Sequence, residues 1–284
     1  MLDILKDTII DALKILPFLF ITYLIMEYIE HKMNEKSKQT IKKSGRWGPL
    51  LGAAVGILPQ CGFSASATNL YSARVITLGT LIAVYLSTSD EMIPIFLSEH
   101  ISVITLIKIL TIKFVLGIFF GFIIDLILSK KNKNTQEDEN IGEFCEHDHC
   151  NCEKNGILKS SIKHTLNILL YIFIVTLIIN ILVAVIGENT IANFVASHAV
   201  LGPFIASLIG LIPNCAASVI LTNLYIENII NGASLVAGLL TGAGVGLIVL
   251  FRTNKNIKEN IFIVCLLYII GVISGLALQL VNII

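Results

Sequence analysis

The chain has 284 residues, 55% of them hydrophobic and only 14% charged, with a mean hydropathy of +0.83. Soluble domains carry about 25% charged residues, so this composition excludes an ordinary soluble domain and points to a polytopic membrane protein. Net charge is zero, and no basic face offers itself to nucleic acid.

Taken in chain order, helical segments are expected over 9–28, 48–58, 62–73, 78–97, 104–128, 163–186, 202–212, 216–227, 232–251 and 260–282. The longer runs reach the roughly 20 residues that cross a bilayer. No strand-like alternation competes, so helices are the spanning option. Asp3, Lys6, Asp7 and Asp11 interrupt the N-terminus, and no small-residue cleavage site follows as in a signal peptide. The runs 48–58 and 62–73 are short. Eleven residues at about 1.5 Å each cover about 16 Å, half a bilayer. Each pair is read as a re-entrant hairpin, with two short tilted spans as the alternative.

One stretch occurs twice. Gly48 to Ser72 returns as Gly202 to Ile226, offset by 154, and between 48–87 and 202–241 there are 14 identities in 40 positions without a gap. Shared residues include Pro59/Pro213, Cys61/Cys215, Thr68/Thr222, Asn69/Asn223 and Tyr71/Tyr225. The offset divides the chain into an N-terminal membrane repeat (1–128), a hydrophilic linker (129–162) and a C-terminal membrane repeat (163–284). A duplicated, proline-interrupted membrane segment marks the place where secondary transporters bind substrate.

Orientation follows from lysine and arginine. The loop 29–47 holds Lys32, Lys36, Lys38, Lys42, Lys43 and Arg46; the linker opens with Lys130, Lys131 and Lys133; the loop 252–259 holds Arg252, Lys255 and Lys258. The loops 98–103 and 187–201 hold none. Positive loops stay cytoplasmic, which places the first three inside and the last two outside. Equivalent loops of the two copies then lie on opposite sides. The expected fold is therefore all-α, with two inverted-topology repeats of about five helical segments each. The linker is expected in the cytoplasm, and the protein in a bacterial plasma membrane.

Several residues carry chemistry. Proline frees a carbonyl about a turn before it, and in Pro59-Gln60-Cys61 and Pro213-Asn214-Cys215 an amide and a thiol follow. Carbonyl and thiolate suit a soft or borderline cation or a thiophilic oxyacid; the plain alternative is a pair of kinks with cysteines filling space. Thr68, Asn69, Thr222 and Asn223 lie two turns on, facing a cavity or bonding helix to helix. Ser87-Thr88-Ser89-Asp90-Glu91 sits within an expected span. Intramembrane carboxylates mark functional sites, and these oxygen groups suit Mn²⁺ or a coupling proton. The equivalent stretch, Thr241 to Gly246, reads as part of an uninterrupted span whose glycines allow close backbone approach or bending.

The linker carries Cys145, His147, Asp148, His149, Cys150 and Cys152, a composition that binds zinc or similar metals without matching a finger spacing. Lys113, like Lys108 and Asp125 on the same helix, is put down to snorkelling or packing. His164 is put down to packing. Glu27, Glu30 and His31 read as a wetted helix end.

The whole pattern resembles the bacterial ten-helix heavy-metal exporters, a group whose members go by arsenic efflux permeases or manganese transporters. The likeness rests on Met26-Glu27-Tyr28-Ile29-Glu30-His31, Pro59-Gln60-Cys61-Gly62-Phe63-Ser64-Ala65, Thr88-Ser89-Asp90-Glu91, Pro213-Asn214-Cys215 and Thr241 to Gly246. It implies efflux of a metal or metalloid ion at the plasma membrane. The expected protein is thus a permease, not an enzyme, exporting a Mn²⁺-like cation or arsenite by alternating access between the repeats. Its partners are the bilayer and the ion, with room for a homodimer and no resident cofactor beyond zinc on the linker. No GxxxxGK[ST] is present, so the energy comes from a gradient or a partner ATPase. Two alternatives are an organic-anion transporter and a membrane thiol oxidoreductase using Cys61 and Cys215; a structural subunit of a larger complex is the third.

Overall fold

The computed structural model describes residues 2–32, 47–58, 61–89, 92–131, 157–186 and 201–281. Among these residues there are only helices and their turns. In the first repeat they are α1 (Leu2–Lys32), α2 (Gly48–Gly56), α3 (Cys61–Ser72), α4 (Leu78–Ser87), α5 (Met92–Ser98) and α6 (Val103–Lys131). In the second they are α7 (Ile157–Ile186), α8 (Gly202–Gly210), α9 (Cys215–Ile226), α10 (Gly232–Thr241), α11 (Val245–Thr253) and α12 (Ile257–Val281). Helix thus continues into both ends of the linker stretch.

The duplication is exact in backbone. Adding 154 to the bounds of α2, α3 and α4 gives those of α8, α9 and α10. The turns match as well: Arg74 and Asn228, 154 apart, both adopt the left-handed region, with φ of 58° and 60°. Thr77 and Asn231, also 154 apart, cap the next helix by accepting from the backbone N–H of Thr80 and Ser234.

Six stretches are long and apolar enough to cross a membrane: Thr8–Ile25, Leu78–Ser98, Val103–Leu128, Ser161–Ile181, Gly232–Thr253 and Ile257–Val281. Two of them are central. Leu78–Ser98 is 75% buried and Gly232–Thr253 is 89% buried, against 22% to 39% for the other four. The four outer spans keep large apolar side chains exposed along their lengths, such as Ile104, Phe119, Leu170 and Ile273. That is the surface a bilayer solvates.

Both central spans are broken, which corrects the sequence expectation of two continuous helices over 78–97 and 232–251. The helix α4 stops at Ser87, and α5 resumes at Met92; α10 stops at Thr241, and α11 resumes at Val245. In the first break Ser87 and Thr88 turn their hydroxyls onto carbonyls of the preceding turn, a local competitor of helix geometry. Pro94 in the first turn of α5 lacks the N–H that a continuing helix would use. In the second break Gly244 takes a φ of 53°, open to glycine and strained for other residues.

The short helices lie beside the broken spans. In α2, Gly48 faces Thr80, Gly52 faces Thr80 and Val84, and Gly56 faces Ser87. So α2 runs alongside α4 from its start to its break. The next helix, α3, returns to end at Ser72, where the turn into α4 begins. The pair α2–α3 is a hairpin that starts and ends at one end of α4. In the second repeat Gly202 faces Ser234 and Gly210 faces Gly238 and Thr241, which repeats the arrangement with α8 and α10.

Contacts across the repeats fix the relative direction of the broken spans. The Ser72 and Thr253 hydroxyls are 2.7 Å apart, and the Phe96 and Tyr225 rings stack at 5.9 Å. The α4–α5 span therefore begins where α10–α11 ends, and ends near where it begins. Close helix approach carries this packing. A methyl group on Gly210 would overlap the Gly238 carbonyl, and backbone cannot yield as a side-chain tip does. We expect Gly210→Ala to destabilise the protein by about 1–3 kcal/mol, the usual scale of overpacking, measured as a lowered thermal midpoint in detergent micelles.

Candidate functional site

The two helix breaks meet at one side chain. Lys113 of α6 is fully buried, and its ammonium donates to the Thr88 carbonyl and, at 3.0 Å, to the Leu239 carbonyl. Thr88 is the residue that ends α4, and Leu239 lies in the last turn of α10. The last carbonyls of a helix lack intrahelical donors and carry the negative end of its dipole. The sequence reading of Lys113 as snorkelling or packing is corrected here: the side chain points inward to the breaks. The missed signal was depth, since Lys113 is ten residues into α6, about 15 Å along its axis.

A second junction joins the repeats near α3. The Thr68 hydroxyl donates to the Ser64 carbonyl at 2.7 Å, lies 2.5 Å from the Tyr85 hydroxyl and 3.2 Å from the Gly246 carbonyl. A Cβ on Gly246 would lie 2.8 Å from the Tyr85 ring and 3.1 Å from Ser64, so only glycine permits this approach of α11 to α3. One residue on, Asn69 accepts from the Tyr23 hydroxyl at 3.3 Å. Its amide nitrogen is buried without a partner among the described residues. The equivalent Thr222 donates back to the Ser218 carbonyl at 2.6 Å. Leu239 stands where Tyr85 does, so among the described residues the second repeat shows no matching junction.

The Pro-Asn-Cys turn faces α1 and α7. Asn214 donates from its side chain to the Asn180 amide oxygen, and Asn180 donates at 2.9 Å to the Thr8 hydroxyl. This relay ties the second repeat to α1. Beside it Thr8, Thr176, Asn214 and Cys215 line a small cavity walled by Ile15 and Ile172. Its volume is about 10 Å³ by the centre of a water-sized sphere, enough for about one water or one bare ion. Thr176 is 4% exposed, and its hydroxyl has no hydrogen-bond partner among the described residues. Cys215 is buried.

The end of the molecule near Ser72 is closed by an ion pair. Arg74 grips Glu259 in bidentate fashion at 2.8 and 3.0 Å, and the Tyr71 hydroxyl donates to the same carboxylate. Hydrogen bonding to Glu259, above all else, raises the Arg74 pKa beyond its ordinary value. Arg74 sits in the left-handed backbone region, where a non-glycine residue is uncommon. The other end of the central spans has Phe96 stacked on Tyr225 instead. Asp125 does different work: it accepts from Thr77 at 2.7 Å and from the Gly79 N–H at 2.9 Å, pinning α6 to the start of α4.

Of the residues expected at the site, the structure brings Ser87 and Thr88 to the first break, beside Lys113. It places Thr68 and Asn69 at the α3 junction, and Asn214 with Cys215 at the cavity. Thr222 is buried within the second repeat, Asn223 half-buried, and Pro213 half-buried in the turn before α9. Pro59, Gln60, Asp90 and Glu91 lie outside the described residues, as do Cys145, His147, Asp148, His149, Cys150 and Cys152. Cys61 begins α3, but its side chain is also outside them. Among the described residues no three His, Cys, Asp or Glu side chains gather into a metal cluster. Sequence reasoning also missed Tyr85, Thr8, Thr176 and Asn180, whose roles arise from contacts between segments far apart in the chain.

These features define a polytopic α-helical membrane protein built from a duplicated unit, with its two central spans broken at matched positions. Residues 1–188 match the family described as "Putative, 10TM heavy-metal exporter", and the chain belongs to that family. Among the described residues six stretches are long and apolar enough to cross a membrane, and Cys215–Ile226 is a shorter apolar helix. No curated protein and no solved structure matches the chain.

The contact between the repeats can be trapped. With Ser72→Cys and Thr253→Cys together, oxidation should join the repeats. Gel mobility after proteolytic cleavage in the linker would show the bond, with each single variant as control. Failure to cross-link would show that these hydroxyls are not neighbours in the folded protein.

Proposed function

We propose that the protein is a permease that exports a heavy-metal ion by alternating access about a site between its two repeats. One observation carries the reading: two central spans, each broken at the same register, lie with their broken ends bridged by a single buried ammonium. Broken helices at membrane depth are tolerated where they face protein or a cavity, and secondary transporters use them to hold ions. The opposed run of the two spans supports inverted repeats, the relation inferred from the charged loops.

In this reading Ser87, Thr88, Asp90 and Glu91 supply oxygen ligands at the first break. Thr68 and Asn69 hold the repeats together beside the path. Arg74 with Glu259 closes one end, and Phe96 with Tyr225 closes the other. The linker tract from Cys145 to Cys152 buffers metal at the cytoplasmic mouth, with the protein in a bacterial plasma membrane. Transport, not catalysis, is the activity, and an ion gradient drives it.

A second reading has its own observation. Cys215, Asn214 and the unpartnered Thr176 hydroxyl line a cavity of single-atom size, and a thiol favours a soft ion such as trivalent arsenic. Two sets of variants separate the readings. The gene is expressed in an exporter-deficient bacterium, beside Asp90→Asn and Cys61→Ser/Cys215→Ser versions verified in the membrane. Cellular Mn, Zn, Co, Cd and As are then measured. We expect lower accumulated Mn, abolished by Asp90→Asn and retained by the cysteine variant. Lower As or Cd that needs the cysteines would move the thiol reading forward. No change in any element would discard metal export.

A further inference from the structure

We propose that Lys113 is the resident cation of an oxygen-lined site where α4 and α10 end, and that the transported ion takes this site by displacing it. The inference rests on the export reading above. It narrows the cargo to a metal cation that accepts carbonyl and hydroxyl oxygen.

Three features point there. The first is placement. Lys113 is completely buried, ten residues from the start of α6 and eighteen from its end, so its ammonium cannot reach a membrane surface from either side. Charges held at such depth mark ion pathways by default. The second is the nature of its partners. Among the described residues its ammonium donates to the Thr88 and Leu239 carbonyls, both at carboxyl ends of half-helices. Two dipoles there converge their negative ends on one positive charge. A helix end that needs only capping is usually served by a local glycine or asparagine, not by a lysine from a third helix.

The third is the set of hydroxyls around the breaks. Ser87 donates to the Ala83 and Val84 carbonyls, Thr88 to Val84, Ser89 to Ser87, and Thr241 to Ser207 and Gly238. Each has one proton to give and has committed it to backbone. What each still offers is an oxygen lone pair. All four residues are buried. Carbonyls and hydroxyl lone pairs are the hard oxygen donors that Mn²⁺ and similar divalent ions accept. The second repeat places buried Leu267 where the first has Lys113, so one ammonium serves both ends. A metal cation and that ammonium repel at such range and exclude each other from the same carbonyls. Lys113 therefore sets how tightly the site holds its cargo, and returning to the carbonyls helps to expel it.

The test is equilibrium dialysis of the purified full-length protein in detergent micelles against Mn²⁺, with metal measured in both chambers. Helix content and monodispersity are checked for each version. The linker tract is common to all versions and cancels from the comparison. Lys113→Gln and the similarly sized Lys113→Met should each bind Mn²⁺ at least about tenfold more tightly than the unaltered chain, about 1.4 kcal/mol. Lys113→Arg, which keeps the charge, should stay within about threefold of it. Folded Gln or Met versions that bind no tighter would overturn the inference while leaving export standing, since Lys113 would then be a pin between helices. Tight binding by Lys113→Arg would overturn it equally. No Mn²⁺ binding by any version would overturn both this inference and the manganese reading on which it rests.

Discussion

A helix broken inside lipid leaves carbonyls that water cannot reach, and each must find a donor within the protein. Here two such breaks are set against each other, and the ammonium of Lys113 answers carbonyls from both. Much of the surrounding architecture serves that meeting. Gly48, Gly52 and Gly56 let α2 lie close along α4, and Gly210 lets α8 reach the Gly238 carbonyl of α10. Gly117, one turn beyond Lys113, lets α6 approach the Ala83 carbonyl. Small residues do in lipid what large apolar ones do in a soluble core, because close backbone approach, not exclusion of water, holds membrane helices together.

Much of the fold was legible in the sequence for a simple reason. A duplication without gaps prints the same boundaries twice, and hydropathy marks the spans. The breaks were not legible, because Ser87 to Glu91 and Thr241 to Gly246 differ in chemistry while doing the same thing to the backbone. One stops with hydroxyls that bond the preceding turn; the other resumes its helix from a glycine at positive φ. Neither carries a proline at the break itself. Lys113 was misread because a lone lysine in an apolar run is usually near a surface, and only its distance from both helix ends argues otherwise. Tyr85 was invisible for a different reason. It meets Thr68 together with Gly246, which lies 161 positions from Tyr85 and 178 from Thr68, and no local pattern encodes that meeting.

The repeats have kept their backbone and divided their side-chain labour. Tyr85, Lys113 and Asp125 belong to the first repeat, and the second has Leu239, Leu267 and Gln279 in their places. The second repeat carries the hydroxyls Ser207 and Ser274 where the first has Ala53 and Phe120. A symmetric scaffold thus surrounds an asymmetric interior. The shared frame sets where the elements lie, and the differences decide what can bind there.

The two ends of the central spans are shut by different forces. Arg74 and Glu259 are 37% and 19% exposed, within reach of dissolved ions that screen charge over about 8 Å at physiological ionic strength. Phe96 on Tyr225 has no charge to screen. Ionic strength therefore acts as a dial on one of these contacts and leaves the other untouched, so a salt-rich medium loosens the tie between the repeats at the Arg74 end alone.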